Sequence, residues 1–401
     1  MAEKTQIAVG LDAGSAWTRL VVCQIVDGSI RYLTHAVVPS RGWRRGQIAD
    51  QSALAESIRK AVRQAEENCG VQIHSAVVGV GGPGVRSVQG RGLYEFGHRR
   101  EIEKSDLSYA VDLAARARLD EGRFLLQVLP QDFTVDGRQP VSHPLKVECM
   151  RLEAHALLIT TSTVEHQMLV SAVHQAHLRV QETVFEAMAA AYACIMPEER
   201  AAGAALIDLG AHSSNVLFYD GDSMVYATGM PLSSDHFTRD LGELKSMSFE
   251  EAERLKIAHG CALVGLSADN IVIELPADEG RPAREISRRE LVEILEARAV
   301  QLCELVEQRR KRFAPGLDLR EGIVFTGGGA LLEGMVEVAE RELGCPARLG
   351  LPRGIAEWPD ELKSPAWSTA AGLAMYSGRL QVRQKNGGGP SFWSLFALGR
   401  N

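Results

Sequence analysis

Two short loops in this sequence combine aspartate, glycine and serine in a pattern that suits a phosphate group. They read Asp12-Ala13-Gly14-Ser15 and Asp208-Leu209-Gly210. Backbone N–H groups can approach a phosphate closely where small residues leave the loop open, and a neighbouring carboxylate can hold hydrated Mg²⁺. A single Asp-x-Gly is usually a plain turn, whereas two in matching surroundings are stronger evidence. The pair therefore predicts a phosphate and magnesium site shared by two parts of the chain.

Two further glycine-rich segments are candidates for ligand contact. Thr326-Gly327-Gly328-Gly329-Ala330 falls between a predicted strand and a predicted helix, where a flat group such as adenosine could lie against the backbone, although a tight turn is the alternative. The segment at 79–84, GVGGPG, matches the dinucleotide pattern G-x-G-x-x-G. That pattern requires a helix to follow, and residues 85–96 alternate like a strand. We therefore interpret the segment at 79–84 as a turn or a hinge.

The elements that must position the two phosphate loops form an internal repeat. Residues 7–32 and residues 204–226 each contain an apolar run, Asp-x-Gly, a second apolar run, an Asp-Gly turn and a third strand. Asp-Gly between alternating apolar runs is typical of a hairpin with a type I′ turn. The repeat predicts two related halves whose phosphate loops face each other across a cleft.

The remaining pattern alternates helices and strands, so the fold class is α/β. Residues 84–160 are predicted to be a separate insertion. Helices are predicted at 52–68, 104–119, 186–196, 236–245, 249–260, 288–313 and 365–378, with a strand at 73–80 and a strand, loop and helix at 323–343.

Composition narrows the possible functions. The 401 residues suggest two to three folded units, and the net charge of −7 gives no chain-wide basic field for nucleic acid. The longest near-continuous apolar stretch, 187–196, is far shorter than the roughly 20 residues that span a bilayer. Seven scattered cysteines without CxxC spacing fit a reducing compartment and argue against a zinc framework. We expect a cytosolic protein without a secretion signal.

Over nearly its whole length the chain resembles the FtsA family of bacterial division proteins, within the actin/Hsp70/sugar-kinase superfamily. The resemblance rests on the two hairpins, the third glycine loop, PSRGWRRGQIAD (39–50), EEAERLKIAHGCAL (250–263), GRPAREISRRELVEILEAR (280–298) and SPAWSTAAGLAMYSG (364–378). It implies an actin-like duplicated ATPase fold with an inserted α/β subdomain. The implied divisions are subdomain 1A (1–83, 161–184 and 365–378), 1C (84–160), 2A (185–232 and 309–364), 2B (233–308), a linker (379–390) and a membrane-targeting helix (391–401).

The resemblance also implies ATP and Mg²⁺ as ligands, with Asp12 and Asp208 at the metal. Glu253 and Lys256 would face the ribose and base edge. Without the resemblance, this pair would be a solvated i,i+3 ion pair. The implied nucleotide-binding residues are Asp12, Gly14, Ser15, Trp17, Asp208, Gly210, Ala211, His212, Ser213, Glu253, Lys256, Gly327, Gly328 and Gly329.

Several positions depart from the family pattern. The family usually has a lysine where Trp17 stands, glycines at Ala211 and His212, an acid at Asn215, and a glycine pair at 233–234. Each change adds a side chain or removes a charge beside the phosphates. We therefore hypothesise that the chain binds ATP but hydrolyses it slowly or not at all, and we assign no catalytic residue. His212 is either a catalytic base or a loop histidine facing solvent.

As partners, the resemblance implies a second copy in a filament, the tail peptide of the tubulin-like protein FtsZ, later division proteins and the inner membrane, but no nucleic acid. The protein would lie on the cytoplasmic face of the plasma membrane at midcell. Arg288, Arg289 and Arg298 are the candidates for binding the FtsZ C-terminal tail, with a solvated helix face as the alternative. The candidate membrane contacts are Phe392, Trp393, Leu395, Phe396 and Leu398, with a disordered or partner-bound tail as the alternative.

Other members of the superfamily provide the competing hypotheses. An FtsA-like pilus-assembly ATPase shares the core and the insertion but does not call for the apolar tail. A sugar or small-acid kinase needs an aspartate base and a substrate pocket, for which the sequence has no obvious candidate. A chaperone of this superfamily needs a large peptide-binding domain after residue 378, and only a short tail follows it.

Overall fold

The structure is a computed structural model that describes residues 6–116, 119–266, 271–275 and 283–385. The first half of the chain contains β1 (Ile7–Ala13), β2 (Trp17–Val26), β3 (Ser29–Pro39), β4 (Trp43–Arg44), β5 (Gln47–Ile48), α1 (Gln51–Cys69), β6 (Ser75–Val80), β7 (Arg86–Glu101), α2 (Lys104–Ala115), β8 (Arg123–Val135), β9 (Glu148–Ser162), α3 (Thr163–Gln175) and β10 (Arg179–Phe185). The second half contains α4 (Glu186–Cys194), α5 (Pro197–Ala202), β11 (Ala204–Leu209), β12 (Ser214–Asp220), β13 (Ser223–Met230), α6 (Ser234–Leu244), α7 (Phe249–His259), β14 (Val272–Leu275), β15 (Arg284–Ser287), α8 (Arg288–Phe313), β16 (Gly322–Thr326), α9 (Met335–Leu343), β17 (Ala347–Leu349) and α10 (Ser368–Lys385).

The two halves have the same sheet topology. Strands run in the order β10-β6-β1-β2-β3 in the first half and β17-β16-β11-β12-β13 in the second. In each half the first strand of the meander pairs antiparallel with the next strand and parallel with a strand that comes much later in the chain. The duplication predicted from the two hairpins is therefore confirmed, and so is the α/β fold class.

The two hairpin turns differ in type. Asp27 and Gly28 both have positive φ, at 49° and 76°, as a type I′ turn requires. In the second hairpin Asp220 pairs with Ser223, so the turn residues are Gly221 and Asp222, and of these two only Gly221 has positive φ. The predicted type I′ geometry is wrong for this second turn, because glycine stands at its first central position, the position that type II′ favours.

The insertion is a small α/β unit that joins the sheet of the second half. Strands β7, β9 and β8 form an antiparallel ribbon, and α2 packs across it so closely that a Cβ atom on Gly92 would lie 2.0 Å from a carbonyl oxygen of α2. Arg86 pairs with Thr228 of β13, which makes the ribbon continuous with that sheet. The predicted helix 104–119 ends earlier, at Ala115, because the N–H of Arg116 turns back to the carbonyl of Leu113.

Helices α4 and α10 lie at the junction of the halves. The alanines of α4 pack in one core cluster with Val77 of β6 and Leu206 of β11. Where the two helices cross, a Cβ atom on Gly372 would lie 1.8 Å from the carbonyl oxygen of Ala189. Both helices therefore have small residues at the contact, which lets their backbones approach each other closely.

Helix α10 is longer than predicted. It continues to Lys385, so residues 379–385 are helical and do not belong to the proposed linker. The sequence predicts Gly378 as the end of the helix, but this glycine serves close packing, since a Cβ atom there would lie 2.7 Å from the Ile30 side chain. The amide of Gln381 then donates to the carbonyl of Ile7 and holds the added turns against β1. No helix in the described part of the chain is long and apolar enough to cross a membrane.

Candidate functional site

A cavity of about 580 Å³ lies between the two halves. The loops after β1, β11 and β16 and one face of α7 contribute to its wall. All of the predicted nucleotide-binding residues except His212 line it, namely Asp12, Gly14, Ser15, Trp17, Asp208, Gly210, Ala211, Ser213, Glu253, Lys256, Gly327, Gly328 and Gly329. Residues that are more than 300 positions apart in the sequence thus meet in one site.

The loop after β1 is shaped by its own aspartate. The Gly14 N–H donates a hydrogen bond to the Asp12 carboxylate, and a Cβ atom on Gly14 would lie 2.9 Å from the carbonyl oxygen of Trp17. The Ser15 hydroxyl accepts a hydrogen bond of 3.2 Å from the His212 N–H. The two phosphate-type loops are therefore in direct contact across the cleft. Trp17 is 44% exposed.

The loop after β16 fits under the loop after β11. Gly327 has φ of 84°, and a Cβ atom there would lie 2.7 Å from the Asp208 carboxylate and 2.5 Å from the carbonyl of Leu209. Only glycine fits this position without displacing the backbone of β11. The next residue is different, because a Cβ atom on Gly328 would meet no protein atom within 4 Å. Gly328 therefore leaves open space in the cavity wall where a flat group could lie.

Three carboxyl groups and one guanidinium share the floor of the cavity. Burial raises the pKa of Asp12 to about 7, with a smaller rise from the charge of Asp208 and an opposing effect of Arg19. Burial also raises the pKa of Asp208. Burial and the charges of those two aspartates raise the pKa of Glu186 well above its ordinary value. The site concentrates negative charge where little water can screen it.

These carboxylates fit a magnesium ion that arrives with a phosphate ligand. Magnesium is typically held by one or two protein carboxylates, with phosphate oxygens and water as the other ligands. Asp12 and Asp208 offer two, and among the described residues no cluster of three or more His, Cys, Asp or Glu side chains is arranged to hold a metal ion without such help. A divalent cation would offset the mutual repulsion of Asp12 and Asp208, which adds to the effect of burial on the pKa of Asp12.

Glu186 belongs to a network that the sequence did not predict. The Asn215 side chain accepts a hydrogen bond of 3.0 Å from the Gly82 N–H and donates one of 3.1 Å to Glu186 Oε2. A Cβ atom on Gly81 would lie 1.8 Å from the same carboxylate oxygen. Residues 81–84 form a turn, as predicted, whereas Gly79 and Val80 end β6. The glycines of this segment also admit the Glu186 carboxyl group to the cavity. Asn215 links the turn of one half to a helix of the junction.

Sequence reasoning missed Glu186 and Arg19 as cavity residues. Arg19 stands within the apolar strand β2, and Glu186 opens an otherwise apolar helix. A charge inside an apolar element is a signal that could have identified both, since burying a charge is costly unless a partner or ligand compensates it.

Glu253 and Lys256 form an ion pair in the cavity wall. The Lys256 Nζ lies 2.7 Å from Glu253 Oε2 and donates to the hydroxyls of Thr238 and Ser234 at 2.8 and 3.0 Å. Lys256 is only 7% exposed, so this pair is not the solvated ion pair of the alternative interpretation. Its three N–H groups are all engaged, which leaves the Glu253 carboxylate as the group with free acceptor capacity.

The side chain of His212 points away from the main cavity. Its Nε2 lies 3.2 Å from Asp235 Oδ2, and the ring lines a separate cavity of about 200 Å³ together with Arg45, His236 and Arg239. The side chain is 19% exposed. The alternative of a solvent-facing histidine is therefore wrong. His212 is predicted as a nucleotide-binding residue, but it does not line the main cavity, and its backbone N–H donates to Ser15 of the other loop.

The three candidate partner-binding arginines have different surroundings on or beside α8. Arg298 donates two hydrogen bonds of 2.6 Å to Asp240, and Arg288 donates to the His259 carbonyl and lines the main cavity. Arg289 pairs with Glu293, and its side chain is 51% exposed. They therefore do not form one free cationic patch. The predicted membrane contacts, all within 391–401, lie outside the described residues.

Sequence comparisons match two family models. Residues 205–372 match "Cell division protein FtsA", and residues 82–160 match "SHS2 domain inserted in FTSA". The chain is 30% identical to the cell division protein FtsA of Pseudomonas aeruginosa over 372 residues, covering 92% of this chain and 89% of that protein. It is 27% identical to the FtsA of Escherichia coli over 379 residues, covering 92% and 90%. The FtsA of Borreliella burgdorferi is 30% identical, with 94% and 92% covered.

Solved structures with the same fold include a PilM–PilN type IV pilus biogenesis complex and MreB5 of Spiroplasma citri bound to ADP. The first has a TM-score of 0.64 at 17% identity and covers 92% of this chain and 98% of its own. The second has a TM-score of 0.56 at 13% identity, with 96% and 100% covered. At these identities the similarity establishes the actin-like fold.

Proposed function

Because the chain belongs to the FtsA family of cell-division proteins, we propose that it binds ATP with Mg²⁺ in the cavity between its halves. The observation that carries this proposal is the meeting of two aspartate loops and one glycine loop in a single cavity. The cavity volume of about 580 Å³ lies within the range of roughly 300–1,000 Å³ that is usual for small-molecule sites.

Three groups of cavity residues would contact three parts of the ligand. The loops at 12–15 and 208–213 supply backbone N–H groups and hydroxyls for phosphate oxygens, and Asp12 and Asp208 would hold the metal. Glu253 has acceptor capacity for the ribose hydroxyls. The open space at Gly328 would receive the adenosine, in keeping with the absence of protein atoms near its Cβ position. Bound magnesium would supply charge neutralisation for the phosphates.

We further propose that hydrolysis is slow or absent. Glu186 lies beside the aspartate loops, but its Oε2 already accepts a hydrogen bond from Asn215 and so is not free to accept a proton from an attacking water. Asn215 stands where the family usually has an acid. Its side chain donates a hydrogen bond to Glu186, and an amide cannot act as a general base in place of a carboxylate. We expect turnover well below about 1 s⁻¹, the lower end of typical enzyme rates. A phosphate-release assay that measures steady turnover above this rate would contradict the proposal.

The nucleotide proposal is tested by filling the space at Gly328. Leucine at this position meets no protein neighbour at its Cβ atom, so Gly328→Leu should fold normally and still occupy the adenosine position. We expect calorimetry to give a micromolar Kd for Mg-ATP with the unchanged chain, about −8 kcal/mol, and at least about tenfold weaker binding with the variant. Gly97→Leu is the matched control, because Gly97 is exposed, does not line the cavity and is equally open around its Cβ position.

Two results would contradict the nucleotide site. The absence of binding heat at high micromolar ATP would exclude nucleotide binding by the unchanged chain. Equal affinity of Gly328→Leu and the unchanged chain would exclude adenosine from the space at Gly328.

We propose that the family's division role also applies, so that the protein assembles into filaments at the inner membrane, anchors the FtsZ ring and recruits later division proteins. The relatives named FtsA, matched over about nine-tenths of their length, support this role. Removing residues 391–401 tests the membrane contact. We expect the truncated chain to lose co-sedimentation with liposomes, whereas unchanged sedimentation would refute the anchor.

The FtsZ tail is proposed to bind at α8, where an acidic peptide would have to compete with Asp240 for Arg298. We expect Arg298→Gln to weaken binding of the tail peptide by about 2 kcal/mol. Arg289→Gln should weaken it less, because that side chain is half exposed and salt-screened. Arg320→Gln is the control on a different loop, with a side chain that is 75% exposed. Equal affinities for all three variants would exclude α8 as the binding face.

A further inference from the structure

The smaller cavity, beside His212, contains more cationic than anionic groups. Its volume is about 200 Å³, and its wall includes Arg45, Arg239, His212, His236 and Asp235. Asp235 Oδ2 lies 3.2 Å from His212 Nε2 and 3.9 Å from an Arg239 nitrogen, so its charge is already partly compensated. Two arginines against one aspartate leave the cavity positive even when both histidines are neutral. The cavity is smaller than the roughly 300 Å³ at which drug-sized sites begin, which restricts a ligand to a few heavy atoms.

A two-residue turn brings Arg45 to this cavity. Arg44 pairs with Gln47, so the turn between β4 and β5 consists of Arg45 and Gly46, which both have positive φ, at 51° and 78°. A Cβ atom on Gly46 would lie 3.4 Å from the His212 carbonyl oxygen. The tip of this hairpin therefore lies against the loop at 208–213 of the other half. Arg45 is exposed, and among the described residues nothing pairs with its guanidinium group.

The two histidines present one donor and one acceptor. His236 Nδ1 accepts a hydrogen bond of 3.1 Å from the Ser233 N–H, and burial and two nearby arginines lower the pKa of this ring. The ring is therefore neutral with its proton on Nε2, a donor that finds no acceptor among the described residues. In neutral His212, the carboxylate of Asp235 places the proton on Nε2. Its Nδ1 is then an acceptor, which is buried and has no partner in the described part of the chain.

We propose that the smaller cavity binds hydrogen phosphate. Arg45 and Arg239 would donate charge-assisted hydrogen bonds to the phosphate oxygens, and His236 Nε2 would add a neutral donor. The phosphate O–H would donate to His212 Nδ1 and so satisfy a buried acceptor. These contacts would come from both halves, because Arg45 is on the β4–β5 hairpin and the other three residues are on α6 or the loop before it. The site is separate from the proposed nucleotide site.

The unpaired acceptor at His212 predicts a preference between two anions of similar shape. Sulfate offers the same oxygen geometry as phosphate but carries no proton at neutral pH, so it would leave His212 Nδ1 unpaired. A buried polar atom without a hydrogen bond is costly, and we expect sulfate to bind at least about fivefold more weakly than phosphate. Calorimetric titration of the full chain with each anion, at neutral pH and matched ionic strength, measures this ratio.

Variants of the two arginines test the location. We expect a millimolar Kd for phosphate with the unchanged chain and at least about tenfold weaker binding with Arg45→Gln, which removes a charge-assisted bond. Arg239→Gln should weaken phosphate binding similarly, and it keeps the test valid if Arg45→Gln alters the hairpin. Arg44→Gln is the matched control, because Arg44 is the preceding exposed residue of the same hairpin and lines neither cavity.

Four results would overturn the inference. An unchanged chain that binds no phosphate at high millimolar concentration has no such site. Equal phosphate affinity of Arg45→Gln, Arg239→Gln and Arg44→Gln would exclude the smaller cavity. Displacement of the phosphate by Mg-ATP would place the anion in the main cavity. Sulfate binding as tight as phosphate binding would exclude the contact with His212 Nδ1.

Failure of this inference is distinguishable from failure of the proposed function. A chain that binds phosphate with the expected losses in the two arginine variants but does not bind Mg-ATP supports the phosphate site and refutes only the nucleotide site. A chain that binds Mg-ATP but not phosphate refutes only the phosphate site.

Discussion

Gly372→Ala should separate the two helices at the junction of the halves. The new Cβ atom would lie 1.8 Å from the Ala189 carbonyl oxygen, and ordinary contact begins at 3.4 Å, so α4 and α10 would have to move apart by about 1.6 Å. The obstacle is backbone, which cannot change rotamer to make room. Overpacking of this kind costs about 3 kcal/mol, and the gain in helix propensity from glycine to alanine returns about 1 kcal/mol. We expect a net loss of about 2 kcal/mol.

The displacement should also weaken the ligand site. Thr369 on α10 donates a hydrogen bond to Asp208, and Glu186 begins α4, so both helices carry cavity residues. Mg-ATP affinity should therefore fall together with stability. Urea denaturation followed by circular dichroism measures the stability, and calorimetry below the unfolding transition measures the affinity.

Gly242→Ala is the matched control for Gly372→Ala. Gly242 is also inside a helix, α6, and gains the same propensity, but its Cβ atom would approach the nearest atom only to 3.3 Å. We expect its stability to remain within about 0.5 kcal/mol of the unchanged chain or to rise slightly. An unfolding midpoint for Gly372→Ala equal to that of Gly242→Ala would show that the helices are not in backbone contact and would refute the reasoning.

Three further predictions follow from the buried charges. Folding raises the pKa of Asp12 from an ordinary 3.8 to about 7, so the folded state binds the proton more tightly and the nucleotide-free protein should lose stability from about pH 4 to pH 7. The stability of Asp12→Asn, measured by urea denaturation, should depend less on pH. If the stability of the unchanged chain instead rises relative to that of the variant between about pH 4 and pH 7, the assignment is contradicted. Asn215→Asp removes the donor to Glu186 and places a fourth carboxyl group beside it, which should cost about 2 kcal/mol at pH 8 and less at pH 5.5. Asn68→Asp on the surface of α1 is its control, and equal losses for both variants would argue against the network. Lys256→Met leaves Glu253 without its cation and should lower stability by about 1–2 kcal/mol, whereas Lys311→Met, at a lysine that is 72% exposed, should change it little. Thermal denaturation compares these two variants, and similar melting temperatures would show that the Lys256 pair is not a stabilising contact.

The duplicated fold and the loops of the cavity could be predicted from the sequence because their signals are local. An Asp-Gly turn between alternating apolar runs specifies a hairpin from a few neighbouring residues. The ends of α8 at Arg288 and Phe313 were predicted from the periodic pattern and agree with the structure. The two aspartate loops were identifiable because they recur in matching hairpins, and the third because its glycines stand between a predicted strand and a predicted helix.

Other features depended on partners that are distant in the sequence. Arg298 is paired with Asp240 on another helix, and His212 turns to Asp235, so neither side chain is where its own segment suggested. Gly378 resembles a helix end, but contact with Ile30 makes it a packing residue.

The charged groups of the cavity also include some that the sequence could identify and others that only the tertiary structure brings together. The sequence established that aspartates at residues 12 and 208 end two equivalent strands. The tertiary structure decided that Arg19 and Glu186 join them in one poorly solvated space, and that Asn215 bridges Glu186 to the turn at Gly82. Burial and charge interactions depend on distances through space between segments up to hundreds of residues apart, and local sequence patterns carry no information on those distances.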